Sequence, residues 1–271
     1  MPRPSLAYSA RPRLVSLQIV VLALQLFACI ALSRPSQAED GQVLPLAPAD
    51  QKQIEALLGT KVILSALPAR PLLPATGYMP QNAHQMTFTV QEKGKKPHTE
   101  THVITAADRE KDGGDQQYEI KSVERMVFDD LGQDKVVTRE YDYDRSVVST
   151  FTPGEPLILA GLRPGESRSS QIDVTVADID KPTKIDFRGN LDVTYTNLGR
   201  FKVHVPAGDY DADLVRWTYT GDIGPASIET AQYRFIAENA GMVAMVQWRS
   251  ISAVLIYHEK SRVGKMLSKI E

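Results

Sequence analysis

The sequence predicts an all-β fold: an antiparallel β-barrel or half-barrel of roughly ten strands, entered through a short N-terminal helix and a Pro-rich connector. Three observations carry this reading. From His84 onward apolar and polar residues alternate, as in Met86, Phe88 and Val90 between Thr87, Thr89 and Gln91. Such alternation marks a strand with one buried face. Turn signals, among them Gly94-Lys95-Lys96-Pro97 and Asp112-Gly113-Gly114-Asp115, recur between β-branched and aromatic runs. No helix-period stretch interrupts them, which argues against a parallel βαβ architecture.

The elements follow in chain order. Arg3, Arg11 and Arg13 precede an apolar run over 14–32, and Ser36-Gln37-Ala38 ends in a small-x-small pattern. This predicts a signal peptide over 1–38, cleaved after Ala38, and a periplasmic or secreted product with no transmembrane anchor after cleavage. Two readings compete with cleavage. The apolar run is nearly long enough to span a bilayer, and Leu26-Phe27-Ala28-Cys29 resembles a lipobox that would place a lipid on Cys29. Residues 39–83 form the entry segment. Pro48-Ala49-Asp50 starts a helix whose Ile54, Leu57, Leu58 and Val62 fall on one side, and Pro68, Pro71, Pro74 and Pro80 make the extended connector. Residues 84–271 are the β domain. Its strands are expected over 84–91, 98–107, 116–128, 135–150, 170–178, 184–196, 199–206, 209–220, 228–237 and 242–257. The Pro- and Gly-rich stretch 151–168 reads as a loop that tucks Leu157, Ile158 and Leu159 into the core, and the basic tail 258–271 as a short helix or a frayed end.

Composition bounds the function. Without residues 1–38 the chain holds 27 basic and 33 acidic residues, a net charge of −6. That acidity argues against nucleic acid and anionic membrane surfaces as partners. Cys29, the one cysteine, leaves with the leader, so the mature chain has no disulfide and no thiol nucleophile. There is no P-loop and no dinucleotide glycine fingerprint. Gly165-Glu166-Ser167-Arg168-Ser169 approaches a nucleophile elbow but lacks the closing glycine and the helix. No cofactor and no catalytic residue is assigned.

The stretch VHVPAGDYDADLVRW, residues 203–217, carries Asp209, Asp211 and Asp213 at every second position. In a strand these share a face, about 7 Å apart, which is too far for one compact coordination shell. The plainer reading is a wet strand end beside a hairpin turn at Pro206-Ala207-Gly208, where acids discourage edge pairing. His98, Glu100 and His102 also share a strand face and form a second weak metal candidate. The order is not the helical zinc pattern, and a polar strand face explains it. Neither group is assigned a metal.

Residues 203–212, Val-His-Val-Pro-Ala-Gly-Asp-Tyr-Asp-Ala, resemble the V-x-V-P-A-G-x-[FY]-x-A hairpin of a broad group of bacterial periplasmic β-proteins, a domain of unknown function. Residues 233–237, Tyr-Arg-Phe-Ile-Ala, with Ala240-Gly241-Met242-Val243, resemble that group's aromatic-rich strand pair. The resemblance covers roughly residues 150–255. It implies an antiparallel β-barrel in the cell envelope and no catalytic residues.

Aromatics supply the remaining candidates. Tyr141 and Tyr143 share a face, and Trp217, Tyr219, Tyr233, Phe235 and Trp248 crowd the late strands. They are core or, around a cavity, ligand-binding residues. The sequence therefore favours an exported, non-enzymatic β-barrel that binds an apolar or envelope-derived ligand or an envelope protein. One rival is an envelope hydrolase using strand carboxylates such as Glu100 or Asp211. Another is a structural or interaction module with residues 66–80 as a docking strap.

Overall fold

The structure is a computed structural model that describes residues 41–79, 84–112, 114–121, 123–253 and 257–271. By its contacts the chain divides into Met1–Ser36 and Gln37–Glu271, and the described residues all belong to the second body. The predicted leader, with Cys29 and the Ala38 cleavage point, lies outside them.

Twelve antiparallel strands close into a barrel. They are β2 (His84–Glu92), β3 (His98–Ala106), β4 (Gln116–Ile120), β5 (Glu124–Leu131), β6 (Asp134–Asp142) and β7 (Val147–Ile158), followed by β8 (Ser167–Asp178), β9 (Ile185–Val205), β10 (Gly208–Ile223), β11 (Ala226–Ala237), β12 (Gly241–Ala253) and β13 (Tyr257–Ile270). Each strand pairs with the next, and β13 returns to β2 with Val263 opposite Glu92 and Ile270 opposite Met86. Closure of this kind leaves no unpaired edge in the wall. One extra strand, β1 (Ile63–Leu67), pairs with the far half of β9. The all-β antiparallel class, the short N-terminal helix and the approximate strand number hold.

Several boundaries need correction, each for a physical reason. The expected strand over 116–128 is two strands, with Ile120 opposite Glu124 and the Val123 amide donating to the Ile120 carbonyl at 2.9 Å. That turn carries neither Gly nor Pro, so nothing punctuates it in the sequence. The expected strand over 135–150 also splits, at residues 143–146, where Ser146 adopts φ 55°. Conversely, 184–196 and 199–206 are one long β9. Its register shifts against β10 where Leu214 pairs with Gly199 and Val215 with Asn197, so Leu198 bulges without ending the strand. Pro153 and Gly154 do not break β7 either. The pairing passes from Thr150–Arg139 to Glu155–Val137, a bulge that absorbs both residues. Residues 63–67 pair as β1. The tail is neither helix nor frayed: it is β13, because only its pairing removes the free edges of β2 and β12.

The entry segment wraps this wall. Helix α1 (Pro48–Leu58) begins with Pro at its first turn and buries Ile54 and Leu58. These pack with Val203, Leu214, Phe235 and Val246 in one hydrophobic cluster. Gly264 of β13 lets the helix lie close: a Cβ there would stand 2.9 Å from Leu58 Cδ2. A short turn, α2 (Ala75–Tyr78), follows β1, and α3 (Arg109–Asp112) lies between β3 and β4.

Residues 68–79 plug one end of the barrel. The Leu72 amide donates to Leu162 O at 3.0 Å, and the Gly161 amide to Leu72 O at 2.8 Å. The Asn239 amide, in the β11–β12 turn with φ 56°, donates to Gly77 O at 3.0 Å. Asn197 seals the seam by donating through Nδ2 to Leu162 O at 2.9 Å. Leu72, Tyr78, Leu159 and Leu162 are buried there with Phe151, Ile172, Leu191 and Tyr195. This second cluster fills the interior beside β7–β10. These bonds and contacts hold much of the proline-rich segment against this end of the barrel.

Candidate functional site: the barrel cavity

Eight strands leave an interior that side chains fill; twelve enclose more space. Here one half is packed and the other keeps a cavity of about 180 Å³. Alternation decides its lining. Tyr118 of β4, Glu124 and Met126 of β5, and Glu140 of β6 point in from one side, and Glu155 of β7 from the next strand. Trp217 and Tyr219 of β10, Gln232 and Arg234 of β11, and Gln247 and Arg249 of β12 point in from the other.

Register places the second group as a ladder. Trp217 lies opposite Gln232, and Gln232 opposite Gln247. Arg234 lies one inward position to one side of that rung and Arg249, paired with Thr230, one to the other. The Arg234 guanidinium carbon sits 4.9 Å from the Trp217 ring centroid, and Arg234 Nε donates to Gln232 Oε1 at 2.7 Å. The Trp217 and Tyr219 rings meet edge-on at 4.7 Å. Opposite, Tyr118 Oη donates to Glu124 Oε1 at 2.8 Å.

Three carboxyls around one half-open cavity cannot all ionise cheaply. Burial, then the neighbouring Glu124 and Asp142, pushes Glu140 up to about 7 against the pull of Arg249 and Arg145. Burial likewise pushes Glu155 up to about 8, with Arg234 and Arg249 pulling down and Glu140 and Glu124 pushing up. Both carry a proton over much of the range below neutrality. On the donor side, no acceptor among the described residues meets Trp217 Nε1, one terminal nitrogen of Arg234 (Nη1) or Arg249 Nε.

The sequence candidates separate. Trp217 and Tyr219 line the cavity. Alternation turns Tyr233, Phe235 and Trp248 to the outer wall under α1, where Tyr233 and Trp248 stack at 5.4 Å and Tyr233 Oη donates to Asp50. Arg216 Nη1 reaches the same carboxylate at 3.1 Å. Tyr141 lies on the outer wall with the Arg125 guanidinium 4.0 Å over its ring, and Tyr143 follows beside the same arginine.

His98, Glu100 and His102 do share a face, and Glu100 stands between the rings, 3.4 Å from His98 Nε2 and 3.3 Å from His102 Nε2. Lys265 of β13 takes the same carboxylate, however. Burial alone would raise Glu100; His102 and Lys265 outweigh it and hold the carboxyl at about 2. A lysine ammonium on the central carboxylate is the wrong neighbour for a cation, and among the described residues no group of His, Cys, Asp or Glu has metal-holding geometry.

The three aspartates part company, which corrects their reading as one wet face. Asp209 and Asp211 keep 48% and 49% of their side chains exposed, against His204 and Arg200. Asp213 keeps 1%. It faces the plug, where Tyr78 Oη donates to its Oδ2 at 2.7 Å and Arg70 Nη2 at 3.1 Å. Glu124, Glu140, Glu155, Arg234 and Arg249 escaped the sequence reading. A pattern of period two shows which residues share a face, but the one usable signal, charges among apolar positions on the inward side, needs the closed wall to say which side is inward.

No family model and no curated protein matches the chain. Among solved structures it is similar to a "putative exported protein with YmcC-like fold" of Bacteroides fragilis, at 14% identity and a TM-score of 0.39 over 75% of this chain and 99% of that one. It is also similar to a "putative lipoprotein" of Parabacteroides distasonis, at 9% identity and a TM-score of 0.35 over the same shares.

Proposed function

We propose that the protein is an exported, non-enzymatic β-barrel whose cavity binds a small amphipathic ligand. The observation that carries this is a hollow, built interior: deep side chains from β4, β5, β6, β7, β10, β11 and β12 converge on about 180 Å³ that they leave unfilled. A dry apolar void of about 150 Å³ takes a benzene-sized guest, so the ligand is about one ring in size, smaller than a lipid. Trp217, Met86 and Met126 suit an apolar body, and the Glu and Arg groups a polar end. The leader pattern and the periplasmic resemblance of residues 203–212 support export. Of the two acids a hydrolase reading would use, Asp211 is ion-paired with Arg200 at the surface and Glu100 with Lys265.

Native mass spectrometry of protein taken from the envelope of expressing cells tests the proposal. A bound small molecule is expected, and Met126→Trp, which fills the cavity, should remove it. An adduct that survives Met126→Trp, or a chain that is always empty and admits no xenon under pressure, sinks the cavity reading.

A further inference from the structure

We propose that the cavity is a receptor for a small organic monoanion, a carboxylate on a single ring, with its oxygens taken by Trp217 Nε1, Arg234 and Arg249. This rests on the ligand-binding reading above and names the chemistry of the ligand. The geometry points to it through three donors. Trp217 is 2% exposed and Arg234 7%, so both are cut off from bulk water, and neither Trp217 Nε1 nor Arg234 Nη1 meets an acceptor among the described residues. Arg249, on the next strand, is half-buried, and its covered Nε likewise meets no acceptor among the described residues. Leaving a buried donor unmade costs about 1–3 kcal/mol, and more for a charged one. Three on adjoining strands around one cavity are the arrangement that a bound acceptor relieves.

Register sets the shape of the site. Arg234 and Arg249 stand at inward positions on opposite sides of the Trp217–Gln232–Gln247 rung, and the Arg234 guanidinium folds over the Trp217 ring. A carboxylate lying on that rung can accept from the indole and from both arginines, and planar guanidinium forks match carboxylate geometry. The Trp217–Tyr219 edge pair and Met126 provide walls for a flat ring. The charge balance agrees. Glu124 is held by Tyr118, Glu155 is pushed up to about 8 and Glu140 to about 7, so at and below neutrality the two carboxyls oppose the arginines less than ordinary carboxylates would. An ammonium ligand would have to lie against two guanidiniums instead.

Isothermal titration of the purified chain with benzoate, benzyl alcohol and benzylamine tests this. Benzoate should bind at least about tenfold more tightly than the alcohol, the fold-change expected for one charged hydrogen bond, and the amine should not bind. Arg249→Met and Arg234→Met should each weaken benzoate by a similar factor and leave the alcohol unchanged. Should a methionine variant fail to fold, Arg249→Lys and Arg234→Lys serve, with partial retention expected. If the alcohol or the amine equals benzoate, the anion assignment falls while the cavity reading stands. If none of the three binds, the donors are met by water alone and the assignment falls. Xenon entry into the barrel then decides whether the cavity reading falls with it.

Discussion

Asp213 shows how one residue's role turns on a single neighbour. Its carboxylate is fully enclosed, yet Tyr78 and Arg70 from the plug satisfy one oxygen. Arg70 also pairs with Glu238 at the rim, so the plug is tied to β10 and to the β11–β12 turn at one point. Tyr78→Phe should cost about 1 kcal/mol, the loss of one buried hydrogen bond. Asp213→Ala, which leaves the Tyr78 hydroxyl and Arg70 Nη2 without their acceptor, should cost about 2–4 kcal/mol; denaturant titration reads both. The interior acids make a second prediction. Glu140 and Glu155 hold protons more tightly folded than unfolded, so the native state binds more protons between the ordinary carboxylate range and about pH 7–8. Stability from this source is fully present below the unfolded value and lost as pH rises through the folded values. The melting temperature should therefore fall from pH 5 to 8. Glu140→Gln and Glu155→Gln should flatten that fall, raising the melting temperature at pH 8 and leaving it nearly unchanged at pH 5. His102, which lines the same cavity, opposes this fall: burial holds it below the ordinary imidazole value, so it adds stability as pH rises, and the difference between the native chain and the two Gln variants isolates the acids.

At the scale of elements, α1 is a clamp on the outside of the wall. Ile54, fully buried, drives it into the cluster with Leu214 and Phe235. Asp50 fixes its start through Tyr233 and Arg216. Ile54→Ala should cost about 2–4 kcal/mol. Gly264→Val should lift the helix, since its Cβ would meet Leu58 at 2.9 Å and Leu57 at 3.1 Å. Faster proteolysis within residues 48–62, with the barrel still intact, is the expected readout; unchanged cleavage would show that the helix is not held at Gly264. The helix itself was legible from Pro48, Asp50 and the Ile54, Leu57, Leu58 spacing, because each is a local signal. Its partner face was not, since Gly264 lies some two hundred residues away in the sequence.

For the whole molecule, closure is the governing fact. β13 supplies the two ladders that turn a sheet into a barrel, one to β12 and one to β2. Deleting residues 263–271 should expose the β2 edge along its length. Size-exclusion chromatography should then show aggregate in place of monomer, and the amides of β2 should lose their hydrogen-exchange protection. A monomer with β2 still protected would mean that closure is dispensable. The outer wall of β8–β9 is lined by Ser167–Thr196 and Ser169–Thr194 hydroxyl pairs and by Gln171–Asp192. This stretch is polar where a lipid-facing barrel carries an apolar outer band.

The residues alone determined the class, because alternation, turn chemistry and helix starts are written in neighbours a few positions apart. They also determined the hairpin of residues 203–212, whose Pro206 and Ala207 do join β9 to β10. Three things were decided only when distant strands met: that the tail closes the wall, that Asp213 lies inside while Asp211 lies outside, and that Trp217 fronts a cavity while Trp248 sits under a helix. Period two assigns residues to a face without saying which face is inward. That choice belongs to closure and to the bulges in β9 and β12, each of which resets the alternation against its neighbouring strand.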